Sequence, residues 1–93
     1  MKNIAGKTVF ITGAASGIGL ALTTRFTQAN ANVVMADIAA DELTGAAATV
    51  TGNTATVVCN VANSRSLKSA ANATIAAFGN IHVIINNAGV STA

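Results

Sequence analysis

The sequence predicts an α/β fold in which four strands and three helices alternate, forming a three-layer parallel sheet that amounts to about half of a doubly wound arrangement. Three observations lead there. Short apolar runs stop abruptly at a glycine or a polar residue, as strands buried on both faces do. Between them lie longer segments whose apolar residues recur at helical spacing. The links between the two kinds of segment are only a few residues long and always join unlike elements, which implies right-handed parallel crossovers.

The elements follow in order. Lys7 to Thr12 carries Val9, Phe10 and Ile11 and stops at Gly13, a first strand. From Gly17 to Gln28, Ile18, Ala21, Leu22 and Phe26, continued by Ala29, recur at helical spacing and predict a first helix with these residues as its buried stripe. Asn32 to Ala36 reads as a second buried strand through Val33, Val34 and Met35, ending at Asp37. Asp41 to Val50 sets Leu43, Ala46, Ala47 and Val50 on one helical face. Asp41 and Glu42 suit the positive end of that helix dipole, and Gly52 lies just past its other end, although Gly45 weakens it. Ala55 to Cys59 is a third strand. Asn63 can cap a third helix in which Leu67, Ala71, Thr74 or Ile75, and Phe78 share a face before Gly79 stops it. His82 to Ile85 completes the set, and the residues after Ile85 are too few for a further helix and strand.

Hydrophobic residues make up 52% of the 93-residue chain and charged ones 9%, against about 25% charged in typical soluble domains. The surface must lean on Thr, Asn and Ser. A chain of this length forms at most one domain, read as a single partial domain over 1–93, and can bury roughly 60–65% of its unfolded surface. The net charge of +2 comes from lysines and arginines scattered singly, so no basic stripe exists to meet a run of phosphates and nucleic acid is not an expected partner. Cys59 is the sole cysteine, which excludes an internal disulfide or a multi-cysteine metal site and suits a reducing compartment, so a cytoplasmic location is expected. No signal-peptide core follows Met1 and Lys2, and no apolar run approaches the ~18 residues of a membrane span. A soluble protein with no membrane partner is expected.

The turn Thr12-Gly13-Ala14-Ala15-Ser16-Gly17-Ile18-Gly19 lies between the first strand and the first helix. A dinucleotide pyrophosphate is bound by backbone N–H groups at a helix N-terminus, and side chains would block its approach, so Gly13, Gly17 and Gly19 stand where a Rossmann-like phosphate cradle requires glycine. An ordinary strand-to-helix turn could carry the same glycines, but this context favours the cradle. Asp37 ends the second strand 18 residues after Gly19, near the roughly 20-residue offset at which a carboxylate accepts from adenosine ribose hydroxyls. A 2′-phosphate would be repelled there, and neither Ala15 and Ser16 nor Ile38 and Ala39 supplies a cation. NAD is therefore favoured over NADP.

These residues resemble the short-chain dehydrogenase/reductase family, whose commonest subgroup has Thr-Gly-x-x-x-Gly-x-Gly after the first strand and Asn-Asn-Ala-Gly after the fourth. Both are present, as Thr12 to Gly19 and Asn86-Asn87-Ala88-Gly89. The resemblance implies that Ser16, Ile18 and the turn glycines cradle the pyrophosphate. It implies that Asn87, Ala88 and Gly89 line the ribose, and leaves Asn86 open between tying the central strands and binding. Where the family usually has Asp-Val after the third strand, to meet the adenine, this chain has Asn60-Val61. An Asn carbonyl still accepts, so adenine binding is expected through a neutral hydrogen bond.

The resemblance also implies hydride transfer between NAD(H) and an alcohol or carbonyl substrate, with a Tyr as acid whose pKa is lowered by a Lys four residues later. This chain has no Tyr, and its lysines precede Asn-Asn-Ala-Gly, whereas the family's catalytic residues follow it. The expected function is the NAD-binding N-terminal portion of such an oxidoreductase, inactive by itself, with no catalytic residue and no metal ligand of its own. A non-catalytic nucleotide-binding module, or a structural or regulatory partner of a longer homologue, remains an open alternative. His82, the sole histidine, begins the fourth strand at the end away from a cofactor and is read as structural. Ser91 is read as a chain-end residue and Cys59 as a buried, inert thiol. The fourth strand is expected to leave an open edge that self-associates or pairs with a missing C-terminal portion.

Overall fold

The computed structural model describes residues 3–87. Ala88, Gly89 and Ser91, singled out above, lie outside the described residues. The elements are β1 (Thr8–Thr12), α1 (Gly17–Gln28), β2 (Asn32–Asp37), α2 (Ala40–Ala47), β3 (Thr54–Val58), α3 (Ser64–Phe78) and β4 (Val83–Asn86). All four strands are parallel, in the order β3-β2-β1-β4.

That order fixes the layers. The chain moves outward from β1 to β2 to β3, then jumps back past β1 to β4, and right-handed crossovers that reverse direction must place α3 on the opposite face from α1 and α2. Two core clusters match this arrangement. Val9, Ile11, Val33 and Met35 point to the α1/α2 side with Leu43 and Ala46, while Phe10, Val34 and Ala36 point to the α3 side with Cys59 and Ala70. Register keeps the faces distinct, since Phe10 aligns with Val34 and Ile84, and Ile11 with Met35 and Ile85. β1 is buried along its whole length and β2 nearly so, as their unbroken apolar runs predict. β3 and β4 are edge strands of the described sheet and alternate between half-buried and exposed residues.

The first helix has the predicted ends but not the predicted face. Its buried residues are Gly19, Thr23 and Thr27, whereas Ile18 is 61% exposed and Leu22 and Phe26 flank the contact half-buried. Small side chains let α1 lie close over the sheet, and the two hydroxyls cause no polar penalty because Thr23 donates to the Gly19 carbonyl at 2.9 Å and Thr27 to that of Thr24 at 3.0 Å. A stripe drawn from hydrophobicity alone misses this. In α3 the packed face holds Ala70 and Thr74, flanked by Leu67, Ala71 and Phe78, with Ile75 turned outward. α2 stops at Ala47, short of Val50, because the N–H groups of Thr49 and Val50 turn back to the carbonyls of Ala46 and Ala47 three residues earlier, tightening the last turn. Asn63 caps α3, its Oδ1 accepting from Ser66 N at 3.0 Å, and Gly79 closes the other end.

Candidate functional site

The reversal of direction between β1 and β4 opens a crevice at the carboxyl ends of the strands, the position where ligands of such sheets bind. The glycine-rich turn enters it from β1. Gly17 sits at φ 58°, a left-handed conformation that suits glycine. Ser16, the N-cap of α1, makes no side-chain capping bond, and no acidic residue lies in the first turn. Ser16, Gly17 and Ile18 are exposed, so the first N–H groups of the helix, which lack intrahelical partners, meet open space beside an uncapped hydroxyl.

Gly19 has a different reason to be glycine. A Cβ there would run into the Gly13 carbonyl oxygen, 2.7 Å from the Gly13 carbonyl carbon and 2.9 Å from Asn87 Nδ2. The turn folds back tightly on the first turn of its own helix.

Neighbouring strands hold it there. On the β2 side, Asp37 Oδ2 accepts from Ala15 N at 3.0 Å, and Oδ1 accepts from Ala39 N at 3.0 Å. On the β4 side, Asn87 Nδ2 donates to the Gly13 carbonyl at 3.3 Å, and the Thr12 hydroxyl donates to Asn86 Oδ1 at 3.1 Å. Asn86 therefore ties the central strands, one of the two roles left open for it.

Between the turn and the ends of β2 and β3 lies a cavity of about 140 Å³ lined by Gly13, Asp37, Ile38, Cys59, Asn60 and Val61. The fold thus brings Gly13, Asp37, Asn60 and Val61 to one place from three separate stretches of the chain, with Ser16, Gly17, Ile18 and Gly19 on the turn beside them. Asn60 opens the loop into α3: its Oδ1 accepts from Ala62 N at 3.0 Å and its backbone N–H donates to Ser66 Oγ at 2.9 Å. Cys59 is buried, and its N–H donates to the Asp37 carbonyl at 3.0 Å. His82 lies at the other end of the sheet, where Nδ1 accepts from Thr8 N at 2.9 Å and the His82 N–H donates to the Thr8 carbonyl. It continues the β1–β4 pairing and takes no part in the crevice.

The clamps on the turn escaped sequence reasoning. An Asp or Asn whose side chain accepts from the N–H two residues on is a local turn signature, and it was available at Asp37 and Asn60; the bond from Ala15 to Asp37 spans 22 residues and has no local signal.

The family profile described as short chain dehydrogenase matches residues 7–93. Relatives include the 1-deoxy-11-beta-hydroxypentalenate dehydrogenase of Streptomyces avermitilis, 43% identical over 89% of this chain and 32% of that protein. The D-threitol dehydrogenase of Mycolicibacterium smegmatis is 36% identical over 92% of this chain and 34% of its own length. Among solved structures, a hydroxysteroid dehydrogenase from Escherichia coli superposes with a TM-score of 0.86 at 29% identity, over 90% of this chain and 37% of that one. A short-chain dehydrogenase/reductase from Burkholderia phymatum in complex with NAD gives 0.82 at 29% identity, over 90% and 31%. The chain belongs to the short-chain dehydrogenase family, and it spans about a third of the length of the curated relatives it matches.

Proposed function

We infer that this chain is the NAD(H)-binding portion of a short-chain oxidoreductase. The observation that carries the reading is the cavity at the strand ends, where Gly13, Asp37, Asn60 and Val61 meet beside the uncapped start of α1. The turn N–H groups with Ser16 and Ile18 suit a pyrophosphate. Asp37 already accepts from two backbone groups, but a carboxylate offers about four lone-pair sites, leaving room for ribose hydroxyls. Asn60 and Val61 border the base, and Asn87 with Ala88 and Gly89 the second ribose. The negative charge of Asp37, with no Lys or Arg at Ala15, Ser16, Ile38 or Ala39, favours NAD over NADP.

A nicotinamide dinucleotide supplies the hydride acceptor or donor in such an enzyme. The residues here hold its adenosine half. With no Tyr in the chain, the family's proton-transferring phenol is not among them, and the work assigned to this chain is binding rather than turnover.

Calorimetry tests the assignment. ADP-ribose is expected to bind within about threefold of NAD, since the contacts named lie at the adenosine and pyrophosphate end. A strong preference for NAD would point to a complete nicotinamide site. Binding by neither would favour a structural partner instead.

The α3 face supports a second, independent expectation. A groove of about 680 Å³ runs beside β4, lined by Phe10, Leu67, Ala71, Ile81 and Ile84 among others, and Ile84 is 66% exposed. Among the described residues β4 pairs only with β1. An open edge next to an apolar groove favours association, with a second copy or with a further portion of the protein. Sedimentation of the chain is expected to show species larger than a monomer, and Ile84→Lys to shift them toward monomer; a monomeric wild-type chain at tens of micromolar would refute this. Among the described residues no helix is long and apolar enough to cross a membrane, and a single buried cysteine suits a reducing compartment such as the cytoplasm.

A further inference from the structure

We propose that His82 is a positioning residue whose neutral imidazole latches β4 to β1, so that protonating it loosens the strand that delivers Asn86 and Asn87 to the glycine-rich turn. The latch stands on geometry, and its consequence for dinucleotide affinity rests on the nucleotide-binding reading above.

The His82 N–H donates to the Thr8 carbonyl at 2.9 Å. In a parallel ladder the next rung, from the Thr8 N–H, would go to a carbonyl two residues before His82. The imidazole takes that rung instead, with Nδ1 accepting from Thr8 N at 2.9 Å just ahead of the start of β4 at Val83. Thr8 N–H can only donate, so Nδ1 carries a lone pair and the ring proton sits on Nε2.

A second proton would occupy Nδ1 and set two N–H groups against each other. Thr8 is 1% exposed, so its N–H has little access to water and would lose its acceptor at a cost that burial raises. His82 itself is exposed, and a proton reaches it freely.

Among the described residues no carboxylate stands ready to pair with a charged ring. Asp37, Asp41 and Glu42 lie at the end of β2 and the start of α2, at the opposite end of the sheet, as do Arg65 and Lys68 near the start of α3. β1 itself contains no titratable residue. The charged groups at the His82 end are both cations, Lys7 beside Thr8 and Arg25 in the last turn of α1.

β4 is sensitive to such a loss. It has four residues, none fully buried, and pairs only with β1 among the described residues. Its far end steadies the turn, through Asn86 Oδ1 with the Thr12 hydroxyl and Asn87 Nδ2 with the Gly13 carbonyl. Losing the first rung raises the population in which those contacts are open. The latch holds at about pH 8 and is lost toward about pH 5, the range in which histidine changes charge.

His82→Asn separates titration from architecture, because Asn Oδ1 stands where Nδ1 stands and does not titrate. Melting curves and calorimetry with NAD compare the two full-length chains at about pH 8 and about pH 5. Any other titrating group, on the chain or on NAD, acts on both alike. At the higher pH they are expected to melt within about 2 °C of each other and to bind NAD equally. At the lower pH the wild type is expected to melt about 5 °C below the variant and to bind NAD about fivefold more weakly than it does. His82→Ala is expected to show that deficit at both. Equal melting of wild type and His82→Asn in acid overturns the proposal, and so does a melting gap with no change in relative affinity. If none of the proteins binds NAD at either pH, the nucleotide reading falls, and the melting gap alone decides the latch. Should His82→Asn not fold, the wild type decides: with one histidine in the chain, NMR follows the titration of its ring directly. The Thr8 amide proton is expected to move with that titration, and one that ignores it overturns the proposal.

Discussion

Gly19→Ala is expected to abolish measurable NAD binding and to lower the melting temperature by about 10 °C. The added methyl group would occupy space held by the Gly13 carbonyl and approach Asn87 Nδ2 to 2.9 Å. Backbone cannot rotate out of the way as a side-chain tip can. The turn must open, and forced overpacking of this kind costs about 2 kcal/mol, which for a chain of this size corresponds to the stated shift. Opening also moves the N–H groups of the turn and releases the bond from Asn87 to Gly13. Gly45→Ala is the matching control: it lies inside α2, where a Cβ meets nothing within 4 Å. Replacing a helical glycine there is expected to raise the melting temperature by a few degrees without touching binding. Circular dichroism melts and calorimetry on both variants check the pair; equal behaviour of the two would sink the argument.

Asp37→Ala carries the second large effect. The carboxylate joins the end of β2 to the turn through Ala15 and to its own loop through Ala39, and in the proposed complex it also meets ribose hydroxyls. Hydrogen bonds to a charged acceptor contribute about 1.5–3 kcal/mol each, and partial exposure of Asp37 places this case toward the lower end. NAD affinity is expected to fall about 100-fold. The preference over NADP should shrink toward unity at the same time, since the charge opposing a 2′-phosphate is gone. Asp37→Asn retains one acceptor and should fall between. Titration of the three proteins with both dinucleotides measures this, and an affinity for NAD in Asp37→Ala within about threefold of wild type would remove Asp37 from the site.

The fold was largely legible because β1 and β2 are buried on both faces, and their runs Val9-Phe10-Ile11 and Val33-Val34-Met35 have no other use. The faces of the helices were less so. Thr23 and Thr27 look polar in sequence, yet each hydroxyl finds a carbonyl within its own helix and is buried at little cost, a compensation that hydrophobic periodicity does not register. At the candidate site, glycine spacing and the position of Asp37 could be read locally. The engagement of Asp37 with Ala15, of Asn87 with Gly13 and of Thr12 with Asn86 could not, because each depends on which strands become neighbours.

Two of those bonds join residues 74 positions apart. The turn is encoded near the start of the chain, yet what steadies it on one side arrives only when Asn86 and Asn87 have been made and β4 has docked beside β1. Closing so long a loop is slow relative to forming the helices. During synthesis the glycine-rich turn is thus made well before β4 yet reaches its final shape only after it, its order depending on a strand that emerges later.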